Sequence, residues 1–405
     1  MSKNWLMTRR RALWLGLASL TGIVTQAGCR AMRPSYPIQA LEDPARDFTV
    51  LGEAYLRERA AAKGLIYGAA SGYEKLTSDT KFTARFIQEC GILVPEGELK
   101  WTALRPSPDK FDFTLGDWLS EFAHTNGMLF RGHTLVWNQS LPEWFKDTVN
   151  SKNAEQILTH HIKTVAGHYA GKIHSWDVVN ESVSPEHGRP DGLTVSPWLN
   201  FLGVDYIALA FRTARQADPQ ALLCLNEAVG GGQDDNFRRE AILTLLQRLL
   251  SQGTPIQALG IESHLGGRFS NADLTTFRGF LHDAASLGLK ILITELDVID
   301  KDLPLDMNVR DRMVAAVYED YLSVVLEEPA VIAVLTWGLS DRYTWHSTYN
   351  PREDKAPVRP LPLDAQLKRK LAWNAMARAF DNASRHRTHI PDSQLSHGTI
   401  RETSP

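Results

Sequence analysis

The feature that most constrains this chain is an alternation of two hydrophobic periods along most of its length. From Gly64 onward short apolar runs recur at Leu65–Ala69, Ile92–Val94, Leu129–Leu135, Ile173–Val179, Leu222–Asn226, Ile256–Ile261, Leu289–Leu296 and Val331–Trp337. Between most of them lie helical patterns, Trp118–Asn126, Ala154–Tyr169, Val204–Ala217, Asn236–Gln252, Leu274–Leu287 and Val309–Leu326, with Leu367–Phe380 closing the series. Strands joined by crossover helices pair in parallel, and runs apolar throughout suit strands covered on both faces. A first helix is expected at Leu51–Lys63, and eight strand–helix units then fit residues 51–380. That arithmetic predicts an α/β fold, a closed (β/α)8 or TIM barrel, in one domain with elaborated βα loops. The first crossover is the weakest, because only a short helix, about Ser78–Glu89, fits there. A doubly wound open sheet is the rival. It is disfavoured because no G-x-G-x-x-G follows the first run, and Gly230-Gly231-Gly232 lacks the Lys-Ser/Thr partner of a phosphate cradle.

The start of the chain reads differently. Residues 1–28 carry Lys3 and Arg9-Arg10-Arg11, no acid, and an apolar stretch from Ala12 to Val24. That is the layout of an export signal; the stretch falls short of the roughly 20 residues a membrane span needs, and the arginines resemble a twin-arginine signal. Export to the periplasm, the cell envelope or the medium is expected. Two processing routes stay open: cleavage after Ala27, or lipid attachment at Cys29 behind Ala27-Gly28. The lipid would be the chain's only tie to a membrane. Loss of residues 1–28 takes the net charge from −3 to −7. Residues 29–50 read as a leader and 381–405 as a flexible tail.

Composition narrows the function. Three cysteines with no CxxC pair exclude a disulfide scaffold and a structural zinc site, while a Cys90–Cys224 bridge stays open. Near-neutral charge gives no footprint for nucleic acid. No three histidines share a metal-ligand spacing, and neither metal nor cofactor is expected; the protein is expected to be a monomer.

Polar residues gather at the C-terminal ends of the runs, the ligand-binding face of a parallel barrel. Asn180-Glu181 ends the fourth run and Glu295-Leu296-Asp297 the seventh. A loop carboxylate is usually a solvated charge, but one that closes a buried strand must be functional or paired. Two facing one cavity suit glycosidic bond cleavage, one as proton donor and the other as anion. The 11 tryptophans agree with a sugar ligand, since Trp101, Trp137, Trp337 and Trp345 lie at or just beyond strand ends, placed to stack on pyranose rings. Lys100, His133, Asn138, Asn226 and His264 add directional contacts, whereas His124, His160, His161 and His168 sit in helical stretches as packing or surface residues.

Five segments in order, Gly132-His133-Thr134-Leu135-Val136-Trp137, Trp176-Asp177-Val178-Val179-Asn180-Glu181, Gly260-Ile261-Glu262-Ser263-His264-Leu265, Ile293-Thr294-Glu295-Leu296-Asp297 and Trp337-Gly338-Leu339-Ser340-Asp341, resemble glycoside hydrolase family 10, the endo-1,4-beta-xylanases. The resemblance spans about Leu51 to Phe380. It implies a (β/α)8 barrel and endo-cleavage of beta-1,4-linked plant polysaccharide, xylan, with retention and without a metal. Residue by residue it implies Glu181 as acid/base and Glu295 as nucleophile. Asn180 would contact the sugar 2-hydroxyl, and His264 with Asp297 would orient Glu295. Glu96, Lys100, His133, Trp137, Trp337 and Trp345 would bind the glycone, with Asn226 beside the site.

Four positions depart from the family pattern. Gly97 stands where Asn is usual, Asn138 for His, Glu262 for Gln, and Ala228 where Tyr is common. All touch the expected binding shell and none the two glutamates. Glu262 adds a third carboxyl near the nucleophile, protonated or hydrogen-bonding sugar as an anion. Two alternatives therefore stand beside the xylanase: a retaining beta-1,4-glycanase of other sugar specificity, and a surface carbohydrate-binding protein without turnover.

Overall fold

The computed structural model describes residues 43–230, 235–267 and 271–386, and the proposed signal and Cys29 lie outside them. Nine parallel strands are β1 Ile66–Ser71, β2 Ile92–Pro95, β3 Leu129–Val136, β4 Ser175–Asn180, β5 Leu222–Glu227, β6 Ala258–Ile261, β7 His264–Gly266, β8 Lys290–Ile299 and β9 Val331–Thr336. Strands β1 to β6 lie side by side in chain order, β9 joins β1, and β8 joins β9. The pairing of β6 with β8, Gly260 opposite Leu292, closes the cylinder. The eight expected runs are thus the eight barrel staves.

The expected helices form within a few residues of their predicted ends, as Ala154–His168, Asp205–Ala217, Asn236–Ser251 and Met307–Val325 illustrate. The thin first crossover contains two short helices, Tyr73–Ser78 and Thr80–Glu89. Asp79 separates them and caps the second, accepting from the Lys81 and Phe82 amides. The first helix is shorter than expected, Leu56–Ala62.

β7 was not foreseen, and it changes where β8 ends. Because β7 pairs with the outer half of β8, His264 opposite Asp297, β8 continues past Glu295 to Ile299 rather than stopping at Leu296. Glu295 therefore sits inside a long strand, at the rim of the cylinder.

The core has two parts. Strand faces packed on the helices form one large buried cluster, and Ile66, Ala70, Ile92, Val94, Leu222, Cys224, Ala258, Leu292 and Leu335 belong to a second, inside the cylinder. Above this plug the inward positions turn polar: Arg131 pairs with Asp177 and donates to Ser175 Oγ at 2.6 Å. Cys90 and Cys224 are both free and buried. Among the described residues no helix is long and apolar enough to cross a membrane.

The ends of the described region are packed. Arg46 is buried against Glu319, at 2.9 Å, and Asp320 on the helix that follows β8. Helix Leu371–Asn382 outlasts the expected Phe380, and buried His386 reaches the Val331 carbonyl with Nδ1 at 2.9 Å and the Leu326 carbonyl with Nε2 at 3.2 Å.

β3 and β4 approach closely at Gly132, where a Cβ would lie 2.1 Å from Cε3 of Trp176. Trp176 is fully buried, so neither ring nor strand can yield cheaply. Gly132→Ala should destabilise the protein by about 1–3 kcal/mol through overpacking, read as a lower urea midpoint at unchanged slope.

Candidate active site

The cavity at the C-terminal end of the barrel is built by strand register. Asn180 lies opposite Asn226, Asn226 opposite Gly260, and His264 opposite Asp297. Gly260 is needed there, since a Cβ would fall 2.1 Å from Asn226 Oδ1. This clearance lets the Asn226 amide lie across the lumen. Its Nδ2 is 2.8 Å from Asn180 Oδ1, 3.1 Å from Glu295 Oε1 and 3.3 Å from Glu262 Oε1, while its carbonyl accepts from Thr294 Oγ1 at 2.8 Å. Asn226, expected as a neighbour of the site, joins its three carboxyl-bearing strands.

Glu295 is 6% exposed and sits among donors. His264 Nε2 is 3.3 Å from its Oε2, and His133 Nδ1 lies 4.0 Å from its Oε1. Burial favours the neutral acid, but the His264 hydrogen bond, with the positive influence of His133, His264 and Lys100, holds Glu295 below the usual carboxylate range. His264 is fixed from behind, its Nδ1 2.9 Å from Asp297 Oδ1. Burial disfavours the imidazolium, yet Asp297 and then Glu295 raise His264 well above its ordinary value. Asp297 itself is held far below the ordinary range against its burial, chiefly by His264 and His346. Trp345 Nε1 donates to its Oδ2 at 2.9 Å, and His346 Nε2 lies at the same distance.

Glu181 follows β4 with a left-handed backbone, φ 53°. Gln139 Nε2 donates to its Oε2 at 2.9 Å, and Asn180 Nδ2 approaches Oε1 at 3.3 Å. Its carboxyl is raised above the ordinary value, first by burial and further by the charge of Glu295. Glu262 is buried at 4% exposure and is raised well above the usual range by burial and by Glu295 and Glu181. Of the two states left open for Glu262, the protonated one fits this setting.

The remaining expected residues fall around this centre. Lys100 stands over the rings of Trp137, 4.7 Å, and Trp337, 5.6 Å. Burial pulls its ammonium below the ordinary value, opposed by Glu295, Glu96, Glu181 and Glu262. Glu96 pairs with Lys75. His133 Nδ1 is 3.0 Å from Asp177 Oδ2, and its ring meets Trp337 edge-on at 5.2 Å. Asn138 and Ala228 are half-buried beyond the ends of β3 and β5. At Gly97 a Cβ would meet nothing within 4 Å, so the usual side chain is replaced by open space.

One expectation is overturned. Trp101 is not a sugar platform: it is 1% exposed, stacks on His161 at 3.6 Å, and donates Nε1 to the Leu135 carbonyl at 2.6 Å. The short helix Trp101–Leu104 turns it into the core, where His161 was expected to pack. His346, Gln139, Arg131 and Asp177 also belong to the site, although none of them is among the expected site residues. Asp177 was within reach, because strand alternation places it on the same face as Ser175; His346 and Gln139 lie beyond strand ends, where no period applies.

Two groups, Glu262/His264/Glu295 and His264/Asp297/His346, bring metal-capable atoms within 4.8 Å of one another. In both, the imidazole nitrogens already face carboxylates, an arrangement that internal ion pairs account for.

If the charge of Glu295 helps raise Glu181, removing it must lower Glu181. In Glu295→Gln the carboxyl of Glu181, followed by carbon NMR titration, should move down towards the ordinary range; an unchanged or higher value would break the link.

Residues 55–379 match Glycosyl hydrolase family 10. Endo-1,4-beta-xylanase B of Thermotoga neapolitana is 30% identical over 321 residues, covering 75% of this chain and 89% of that protein. Endo-1,4-beta-xylanase 3 of Hypocrea jecorina is 31% identical over 317 residues, 78% of this chain and 82% of that one. Among solved structures, xylanase 10B of Thermotoga petrophila in complex with xylobiose superposes with a TM-score of 0.75 at 30% identity, covering 82% of this chain and 99% of that chain. Native xylanase 10B of Thermotoga maritima gives 0.74 at 31%, covering 81% and 98%. With a barrel, a site and a sequence pattern in agreement, the chain belongs to glycosyl hydrolase family 10.

Proposed function

We propose that the protein is an endo-acting, retaining beta-1,4-xylanase in which Glu295 is the nucleophile and Glu181 the acid/base. The observation that carries this reading is the different setting of two carboxyls in one site: Glu295 faces His264 Nε2 at 3.3 Å with Asp297 behind that ring, whereas Glu181 meets the neutral amides of Gln139 and Asn180, which biases Glu295 towards the anion and Glu181 towards the acid. Relatives named as endo-1,4-beta-xylanases support the substrate class. Glu295 attacks the anomeric carbon as the bond to the departing sugar oxygen breaks, and the proton of Glu181 passes to that oxygen. Bonding to carbon removes the charge of Glu295, which lowers Glu181 and readies it as base. Water then attacks the glycosyl-enzyme, gives its proton to Glu181 and frees Glu295.

His264, locked by Asp297, keeps the nucleophile oriented and anionic. Asn180 and Glu262 meet the sugar at the cleavage point, while Trp137, Trp337, Trp345, Lys100, His133 and Glu96 bind the glycone, with Asn138 next to Trp137. Asn226 holds the carboxyl-bearing strands in register. Open space at Gly97 favours a second reading, the same chemistry on a β-1,4-glycan with bulkier residues. A panel of xylan, β-glucan and aryl xyloside with product analysis separates the two.

Glu181→Gln and Glu295→Gln, checked for native folding by circular dichroism, should each lower reducing-end release from xylan by about 10²-fold or more. Full activity in either variant, or wild-type inactivity on every xylan, would refute the assignment.

We also propose export of a monomer through the arginine-led signal. Mass spectrometry of the mature N terminus should find either a lipid-modified Cys29 or an unmodified terminus at Gly28.

A further inference from the structure

Glu227 ends β5 and is completely buried, yet among the described residues it pairs with no arginine, lysine or histidine. Both of its oxygens go to one turn. Oε1 accepts from the Ser182 amide at 3.2 Å and from the Ser182 hydroxyl, and Oε2 accepts from the Val183 amide at 3.1 Å. Those are the two residues directly after Glu181. Glu181 holds φ at 53°, a region that strains a non-glycine residue and persists only where neighbours enforce it. Upstream, the Glu181 amide donates to the Asn226 carbonyl at 2.8 Å; on its far side, its carbonyl accepts from Thr194 Oγ1 at 2.6 Å. Glu227 supplies the grip downstream, from the strand that also carries Asn226.

We propose that Glu227 is a positioning residue for the acid/base: by clamping Ser182 and Val183 it fixes the turn that aims the Glu181 carboxyl at the scissile oxygen. Glu227 touches no substrate. Keeping an acid in so apolar a place is costly, and burial raises it to about 8 even with the Ser182 and Val183 donors pulling it down. An apolar residue would avoid that cost but leave two backbone donors unsatisfied beside the reacting group.

This inference rests on the role proposed for Glu181. In the first step a bond forms between Glu295 and the anomeric carbon, the glycosidic bond breaks, and the leaving oxygen keeps the electron pair and takes the proton of Glu181. A misplaced Glu181 therefore slows the step only as far as that oxygen needs a proton. A sugar leaving group needs it; a dinitrophenolate does not.

The test compares kcat/KM, which reports the glycosylation step, on a xylo-oligosaccharide and on dinitrophenyl β-xylobioside. Glu227→Gln keeps the shape but sets an amide N–H₂ against a backbone N–H. It should lose about 10²-fold on the oligosaccharide and less than about threefold on the aryl substrate. Ser182→Ala, which removes one donor of the three and should fold in any case, should show the same split, losing about five- to tenfold on the oligosaccharide and less than about twofold on the aryl substrate. Equal losses on both substrates in either variant would reduce Glu227 to a structural role, and no loss on either would remove it from the mechanism. Wild-type inactivity on both would instead overturn the xylanase reading.

Discussion

Three carboxyl groups converge in one largely buried cavity, and the chemistry depends on only one of them being an anion at rest. Like charges so close cannot all ionise, so the surroundings must choose. The choice falls on Glu295 because His264 is aimed at it, and Asp297 behind that ring favours its imidazolium form. Asp297 in turn receives Trp345 and faces His346. The chain of contacts fixes a negative charge on the residue that needs it and leaves Glu181 and Glu262 favouring their protons. Remove the pull from behind His264 and the three acids would compete on more equal terms.

The fold serves this arrangement through register. Closure by β6 against β8 brings the seventh stave next to the sixth, and the short β7 continues that contact outward so that His264 and Asp297 are directly paired. The glycine at 260 opens the space that Asn226 crosses, and the polar lumen beneath, Arg131 with Asp177, holds His133 in place. The apolar plug below keeps the cylinder from being a pore, as expected for a barrel of this strand number.

Much of this was legible in the sequence, for reasons that also explain what was not. The eight staves announced themselves because strands buried on both faces must be apolar throughout, and acids closing such runs stand out against them. Glu181, Glu295, His264 and Asp297 were found that way and through the family's motifs, and the structure brings all four together. The strand-end position of Trp101 does not decide which way its ring faces; a single helical turn directs it inward onto His161. β7 has three residues and no period to read, so the continuation of β8 to Ile299 could not be foreseen. Gln139 and His346 lie in loops, where position depends on tertiary packing. The charge state of Glu262 was undecidable from composition because it depends on distances to Glu295 and Glu181.

The mooring of His386 has a consequence for architecture. Its ring is held by the carbonyls of Val331 and Leu326, and its amide by that of Lys63, all near where β9 and β1 enter the barrel. The cavity opens where those strands leave. The chain therefore leaves His386 at the end of the barrel away from Glu181 and Glu295.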